Sequence, residues 1–161
     1  PAYGMDTLAF RFFNVVGPGQ RADHVYAAVV PAFLDAALDG RPVTVHGDGT
    51  QSRDFTYVGT VARVLVDAVL RRVSHPTAVN LAFGSRTSLL ELLDLLSGLL
   101  GHEIERDHVE SRAGDVPHSQ ADSTRLLTLF TDVDPVPLDV GLKETIDWMA
   151  DLGTGRARPS P

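Results

Sequence analysis

Leu8-Ala-Phe-Arg-Phe-Phe-Asn-Val-Val16 runs straight into Gly17-Pro18-Gly19. An apolar run interrupted only by Arg11 and Asn14, then stopped by a turn-forming triplet, has the character of a buried parallel strand ending in a loop. In open α/β sheets, ligands gather beyond the carboxyl ends of the strands. Asn14 therefore stands where polar side chains serve a ligand.

Working outward, the apolar segment Tyr26 to Leu38 closes at Gly40, a helix stop. Pro31 is tolerated only near a helix start, so a regular helix is expected from about Pro31. Val43-Thr-Val-His46 alternates in polarity, and so does Asp54-Phe-Thr-Tyr57, with the turn signal Gly47-Asp48-Gly49 between them. That spacing suggests two short strands joined by a loop carrying Gln51, Ser52 and Arg53. From Val58 to Val73 an amphipathic helix is expected, with Arg63, Asp67 and Arg71 on one face and apolar residues on the rest. Ala78 to Ala82 reads as a short buried strand. Ser88 and Glu91 have capping-box spacing ahead of a leucine-rich helix that ends near Gly101. That leucine stripe is core packing. A strand over Glu103 to Val109, an irregular stretch to Gln120, a short helix over Ser123 to Phe130 and a closing helix carrying Leu142, Ile146 and Met149 complete the pattern. Strands alternating with helices indicate an α/β fold. The Pro- and Gly-rich residues 153–161 are expected to form a flexible tail.

Composition narrows the function. With an apolar share of 43% and a charged share of 22%, the 161-residue chain has a globular balance. A net charge of −7 argues against nucleic acid as a partner. There is no cysteine, so disulfides and thiolate-ligated metal are excluded. No apolar run reaches the ~18 residues of a membrane span, and the N-terminus lacks signal-peptide character. A cytoplasmic protein without membrane partners is the expectation.

Several catalytic signatures are missing from the chain. Neither Gly-x-Gly-x-x-Gly nor Gly-x-x-Gly-x-x-Gly occurs, so no dinucleotide-binding turn is present. Lys143 is the only lysine, and no tyrosine precedes it by four residues, which removes a Tyr-x-x-x-Lys acid/base pair. The six histidines are scattered without metal-ligand spacing. Two arginines in Gly- and Asp-flanked segments remain, Arg53 in Gln51-Ser-Arg-Asp54 and Arg112 in Ser111-Arg-Ala-Gly-Asp115. A guanidinium is a planar fork matched to phosphate oxygens. The residues by themselves thus reach as far as an α/β domain with a candidate phosphate pocket.

Five strings in fixed order add a resemblance. Arg11-Phe-Phe-Asn-Val-Val-Gly-Pro-Gly-Gln20, Gly47-Asp-Gly-Thr-Gln-Ser-Arg-Asp-Phe-Thr-Tyr-Val58 and Asn80-Leu-Ala-Phe-Gly84 with Ser88-Leu-Leu-Glu-Leu92 are the first three. Arg112-Ala-Gly-Asp-Val-Pro-His-Ser-Gln-Ala-Asp122 and Gly141-Leu142 with Trp148 complete the set. Together they resemble extended short-chain dehydrogenases/reductases of the NAD-dependent epimerase/dehydratase family. The likeness covers roughly residues 3–150. Tyr26-Ala-Ala-Val-Val-Pro31 and Gly114 to Asp122 look closest to UDP-glucose and UDP-N-acetylglucosamine 4-epimerases. The framework is shared with dTDP-glucose 4,6-dehydratases and UDP-glucuronate decarboxylases. A sugar-nucleotide-binding module without catalysis is the alternative from another class. The chain departs from the family at Val58-Gly-Thr-Val61, where acidic residues are usual, at Phe130-Thr131, and at Val16.

The resemblance implies the C-terminal part of an extended Rossmann-type fold, a substrate-binding portion over residues 1–152 plus the last sheet strands. The NAD-binding half and the catalytic tyrosine and lysine would lie upstream. It further implies NAD as cofactor, a UDP-sugar or related nucleotide sugar as ligand, and a homodimeric full-length parent. By position, Phe12 would lie near the nicotinamide and Asn14 would bind the sugar diphosphate. Ala28 and Val29 would begin the segment closing over the nucleotide, with Thr44 and His46 facing the base. Arg53 and Arg112 would clamp the diphosphate, Asp115 would bond the ribose, and Gln20 and Ser119 would lie near the sugar.

Overall fold

The run from Leu8 to Val16 folds as two short strands, β1 (Phe10–Phe12) and β2 (Val15–Val16), because the chain changes partner at Phe13-Asn14. In this computed structural model, residues 4–20, 28–112 and 114–153 are described. The start of the Tyr26 to Leu38 segment and the tail beyond residue 153 lie outside them.

The remaining elements follow in chain order. They are α1 (Val29–Leu38), β3 (Val43–His46), β4 (Ser52–Arg53), β5 (Thr56–Tyr57), α2 (Val58–Leu70), β6 (Val79–Leu81), β7 (Thr87–Ser88), α3 (Leu89–Leu100), β8 (Arg106–Val109), α4 (Thr124–Leu129) and α5 (Leu138–Gly153). Three pairings are parallel, namely β1 with β6, β2 with β5 and β3 with β8. Parallel neighbours require crossover connections, and helices supply them, as the alternating pattern implied. The one antiparallel pair among the described residues is β4 with β7.

Three local expectations change. Val43–His46 and Asp54 to Tyr57 do not face each other across a hairpin. β3 pairs with β8 and β5 with β2, so the Gly47-Asp-Gly49 turn redirects the chain instead of folding it back. Ser52 and Arg53 are themselves a strand, held by β7. Helix α1 begins two residues before Pro31. Proline is tolerated there because the N–H groups of the first turn have no intrahelical acceptor.

The core has two parts. In one, Val30, Phe33 and Leu34 of α1, Val43 and Val45 of β3, Leu92, Leu93 and Leu96 of α3, and Leu142 and Ile146 of α5 pack together. In the other, Val61, Val64 and Ala68 of α2 meet Val79 and Leu81 of β6 and Leu126 and Phe130 around α4. Helix α3 carries the expected capping box, with Gly101 in the left-handed conformation at its end. No helix among the described residues is long and apolar enough to cross a membrane.

Candidate functional site

The carboxyl end of β1, all of β2, the start of α1, the outer face of β3, and the β4 region enclose a cleft of about 910 Å³. Alternation along β3 builds one wall. Val43 and Val45 are buried in the core, which turns Thr44 and His46 to the cleft. Ala28 and Val29 contribute from the start of α1, with Phe33 one turn further on.

Asn14 sits at the break between β1 and β2. Its backbone carbonyl accepts from Thr56 N at 3.1 Å, and its Nδ2 donates to the carbonyl of Asp54 at 3.3 Å. Gln20 Nε2 donates to Val15 O at 2.7 Å, while its Oε1 is buried and lacks a partner among the described residues. A buried amide oxygen left unpaired is an open acceptor position. His46 Nδ1 lies 3.2 Å from the carbonyl of Glu110. A carbonyl only accepts, so Nδ1 is the donor in this contact. Phe12, 57% exposed at the end of β1, lines the cleft.

The two arginines differ. Arg53 Nη1 donates to Ser52 O at 2.9 Å and Val116 O at 2.7 Å, and Nη2 donates to Asp115 Oδ1 at 2.6 Å. Arg112 lines the same cleft, and its side chain has no hydrogen-bond partner among the described residues. At the rim, Arg41 bonds Asp39 and Asp35, which hold its guanidinium pKa above the ordinary value and offset its charge. Ten of the eleven positions singled out in the sequence thus line one cleft. Ser119 does not. Its backbone N–H donates to Ser52 O at 3.0 Å, beside the bridge between Ser52 and His118.

One residue beneath the site escaped the sequence reading. Asp54 is fully buried. Its Oδ2 accepts from Gly84 N and Ala121 N, both at 3.1 Å, and its Oδ1 from Ser85 N at 3.2 Å and Ser85 Oγ at 2.9 Å. With Asn14 on its backbone carbonyl, it ties the cleft floor to two distant loops. The donors sit ~30 and ~67 residues away, and no local pattern announces them. Tyr57, at the end of β5, donates its phenol proton to Glu144 of α5. Burial first, then that bond and the carboxylate charge, push its pKa up to about 12. Among the described residues no group of three or more His, Asp or Glu side chains is arranged to hold a metal ion.

Comparison with known proteins bears on this arrangement. The profile of the "NAD dependent epimerase/dehydratase family" matches residues 1–82. The chain is 30% identical over 147 residues to a UDP-glucuronate 4-epimerase of Thermodesulfobacterium geofontis, covering 91% of this chain and 44% of that protein. It is also 30% identical over 155 residues to a UDP-N-acetyl-alpha-D-glucosaminuronate decarboxylase of Bacillus cytotoxicus, covering 92% and 48%. A solved UDP-N-acetylglucosamine 4-epimerase of Methanobrevibacter ruminantium, in complex with UDP-N-acetylmuramic acid, superposes with a TM-score of 0.86 at 34% identity. That match covers 94% of this chain and 48% of that one. The chain spans about half the length of the relatives it matches. With an α/β fold shared at that level and a family profile over half its residues, the chain belongs to the NAD-dependent epimerase/dehydratase family.

Proposed function

We propose that this chain is the nucleotide-sugar-binding portion of an NAD-dependent NDP-sugar 4-epimerase acting on UDP-hexoses. The observation that carries the reading is the single cleft in which Arg112, a braced Arg53, Asn14 and the unpaired Gln20 oxygen converge. Arg53 and Arg112 would take the diphosphate, with Asn14 beside it. Thr44 and His46 would face the base across Ala28 and Val29, and Asp115 would accept from the ribose hydroxyls. Gln20, which lines the cleft as Ser119 does not, would meet the sugar. Holding the diphosphate tightly while the hexose stays loose spends binding energy on remote groups and leaves the reacting ring free to turn.

NAD, when bound, supplies hydride removal and return at sugar C4. The exposed Phe12 ring suits contact with a flat nicotinamide, and no glycine-rich turn for the dinucleotide phosphates occurs in this sequence. These residues therefore fit one end of the cofactor. An NAD-binding portion with the tyrosine and lysine would complete the enzyme. Two features support a further α/β portion. β1 pairs only with β6 among the described residues, which leaves its other edge without a strand partner there, and an unpaired edge invites pairing with a further strand. Helix α2 also leaves Val66, Val69 and Leu70 exposed on one apolar face. Decarboxylation is the second reading, favoured by the equal identity to the Bacillus cytotoxicus decarboxylase.

Thermal unfolding of the chain with UDP-N-acetylglucosamine, UDP-glucose, dTDP-glucose and GDP-mannose tests the ligand assignment, with Arg53→Ala as control. UDP sugars are expected to raise the transition, and Arg53→Ala to abolish the effect. A transition indifferent to every nucleotide would sink the reading. Product analysis of the NAD-loaded full-length enzyme separates an epimer from a decarboxylated sugar.

A further inference from the structure

Arg53 and Asp115 are assigned above to a diphosphate and a ribose, yet in the structure they are bonded to each other. The Arg53 side chain is 17% exposed and that of Asp115 37%, so the pair is partly shielded from water. Three carbonyls, of Ser52, Val116 and, at 3.5 Å, Pro117, surround Nη1 while Asp115 occupies Nη2 at 2.6 Å. The Nε–H has no acceptor among the described residues. A phosphate oxygen makes the same charge-assisted bond to a guanidinium fork as a carboxylate oxygen does. Asp115 thus fills a position that a phosphate would otherwise take.

We propose that Asp115 is an internal anion that a ligand's phosphate displaces from Arg53, so that contact at Arg53 alone gains little and firm binding requires a second contact, which a diphosphate makes at Arg112. The inference rests on the cleft being a diphosphate site. A lone phosphate exchanges one ionic bond at Arg53 for another of the same kind and gains little. A diphosphate makes that exchange and adds Arg112, whose guanidinium has no partner among the described residues to give up. The exchange needs only the Asp115 side chain to turn, because the carbonyls of Ser52 and Val116 keep the fork in place. The released carboxylate is then free to accept from ligand hydroxyls. The alternative has the opposite sign. If a phosphate used the open Nε edge, Asp115 would be an anchor for the fork, and removing it would weaken binding.

Calorimetric titration of the chain with inorganic pyrophosphate, orthophosphate and UDP distinguishes these cases. Pyrophosphate lacks a ribose, so loss of an Asp115–hydroxyl contact does not confuse the result. Asp115→Asn is expected to bind pyrophosphate about fivefold more tightly than the wild type, the scale of a part-exposed ion pair. Orthophosphate, which makes the same exchange at Arg53, should gain by about the same factor. The gain should vanish when Arg53→Ala is present as well, and Asp115→Ala should reproduce its sign, with circular dichroism confirming that each variant is folded. Unchanged or weaker pyrophosphate binding by Asp115→Asn, with UDP still bound by the wild type, overturns the displacement and leaves the cleft assignment standing. Failure of every form to bind UDP or pyrophosphate removes the cleft assignment and the displacement together.

Discussion

The ring of Tyr57 lies against glycines from two helices and a loop. A Cβ on Gly59 would come within 2.6 Å of Tyr57 Cε1, and one on Gly141 within 2.6 Å of Cδ2. Gly17 approaches the same ring and Val58. Gly59 lies in the stretch where the family pattern has acidic residues, and its missing side chain is what lets the ring cross the start of α2 to reach Glu144. Replacing glycine by alanine inside a helix ordinarily stabilises by about 0.5–1 kcal/mol. At Gly141 the sign should reverse, because the added methyl must displace a buried ring, at about 1–3 kcal/mol. Gly98, inside α3, has nothing within 4 Å of the position a methyl would take and serves as the contrast. Urea midpoints should fall for Gly141→Ala and rise for Gly98→Ala. Equal gains for both would mean that the Tyr57 socket is not tight.

At the scale of elements, α3 and α2 show two ways of fixing a helix. Helix α3 is closed by local chemistry. Ser88 Oγ accepts from Glu91 N at 3.1 Å, and Glu91 Oε2 accepts from Ser88 N at 2.7 Å and Ser88 Oγ at 2.8 Å. Ser88→Ala should cost about 1 kcal/mol in a chemical denaturation experiment. The same bonds, the backbone one foremost, hold the Glu91 pKa below its usual 4.5. A depressed carboxylate stabilises the fold above its unfolded pKa, and this contribution is lost as the pH falls through the lower, folded value. The acid limb of the stability profile should therefore flatten in Glu91→Gln, and an unchanged limb would count against the cap. Helix α2 is fixed from outside. Arg63 donates to Asp134 O, and Arg71 bonds both Asp67 and Leu129 O while lying 5.3 Å from the centre of the Phe130 ring. The charged stripe visible in the sequence is therefore a seam to α4 and the loop after it.

Across the whole molecule, Asp54 is the point where remote segments are held in common. Its carboxylate serves the loop at Gly84 and Ser85 and the chain at Ala121, and its neighbours Arg53 and Phe55 line the cleft. Asp54→Asn should turn an NH₂ group toward N–H donors on one side. Each donor orphaned in that way costs about 1–3 kcal/mol. A clear drop in thermal stability, together with weaker UDP protection, is the expected result. Full retention of both would show that the buried carboxylate is dispensable.

Periodicity and turn chemistry in the sequence were enough for the α/β alternation, α2, the capping box, the leucine core and the final helix. These features depend on residues within a few positions of one another, so local physics settles them. The resemblance of ordered strings then picked out Arg53, Arg112, Asn14, Thr44 and His46, which share a cleft in the structure. What the sequence left open involved partners distant along the chain. Whether Val43–His46 turns back on the next strand or pairs with β8 is decided by which surfaces pack, and so is the switch of partner at Asn14. The same holds for the donors on Asp54 and for the carboxylate on Arg53, which lies 62 residues away. Each of these rests on a long loop closure whose entropy cost only the assembled core offsets, and such contacts leave no trace in local spacing.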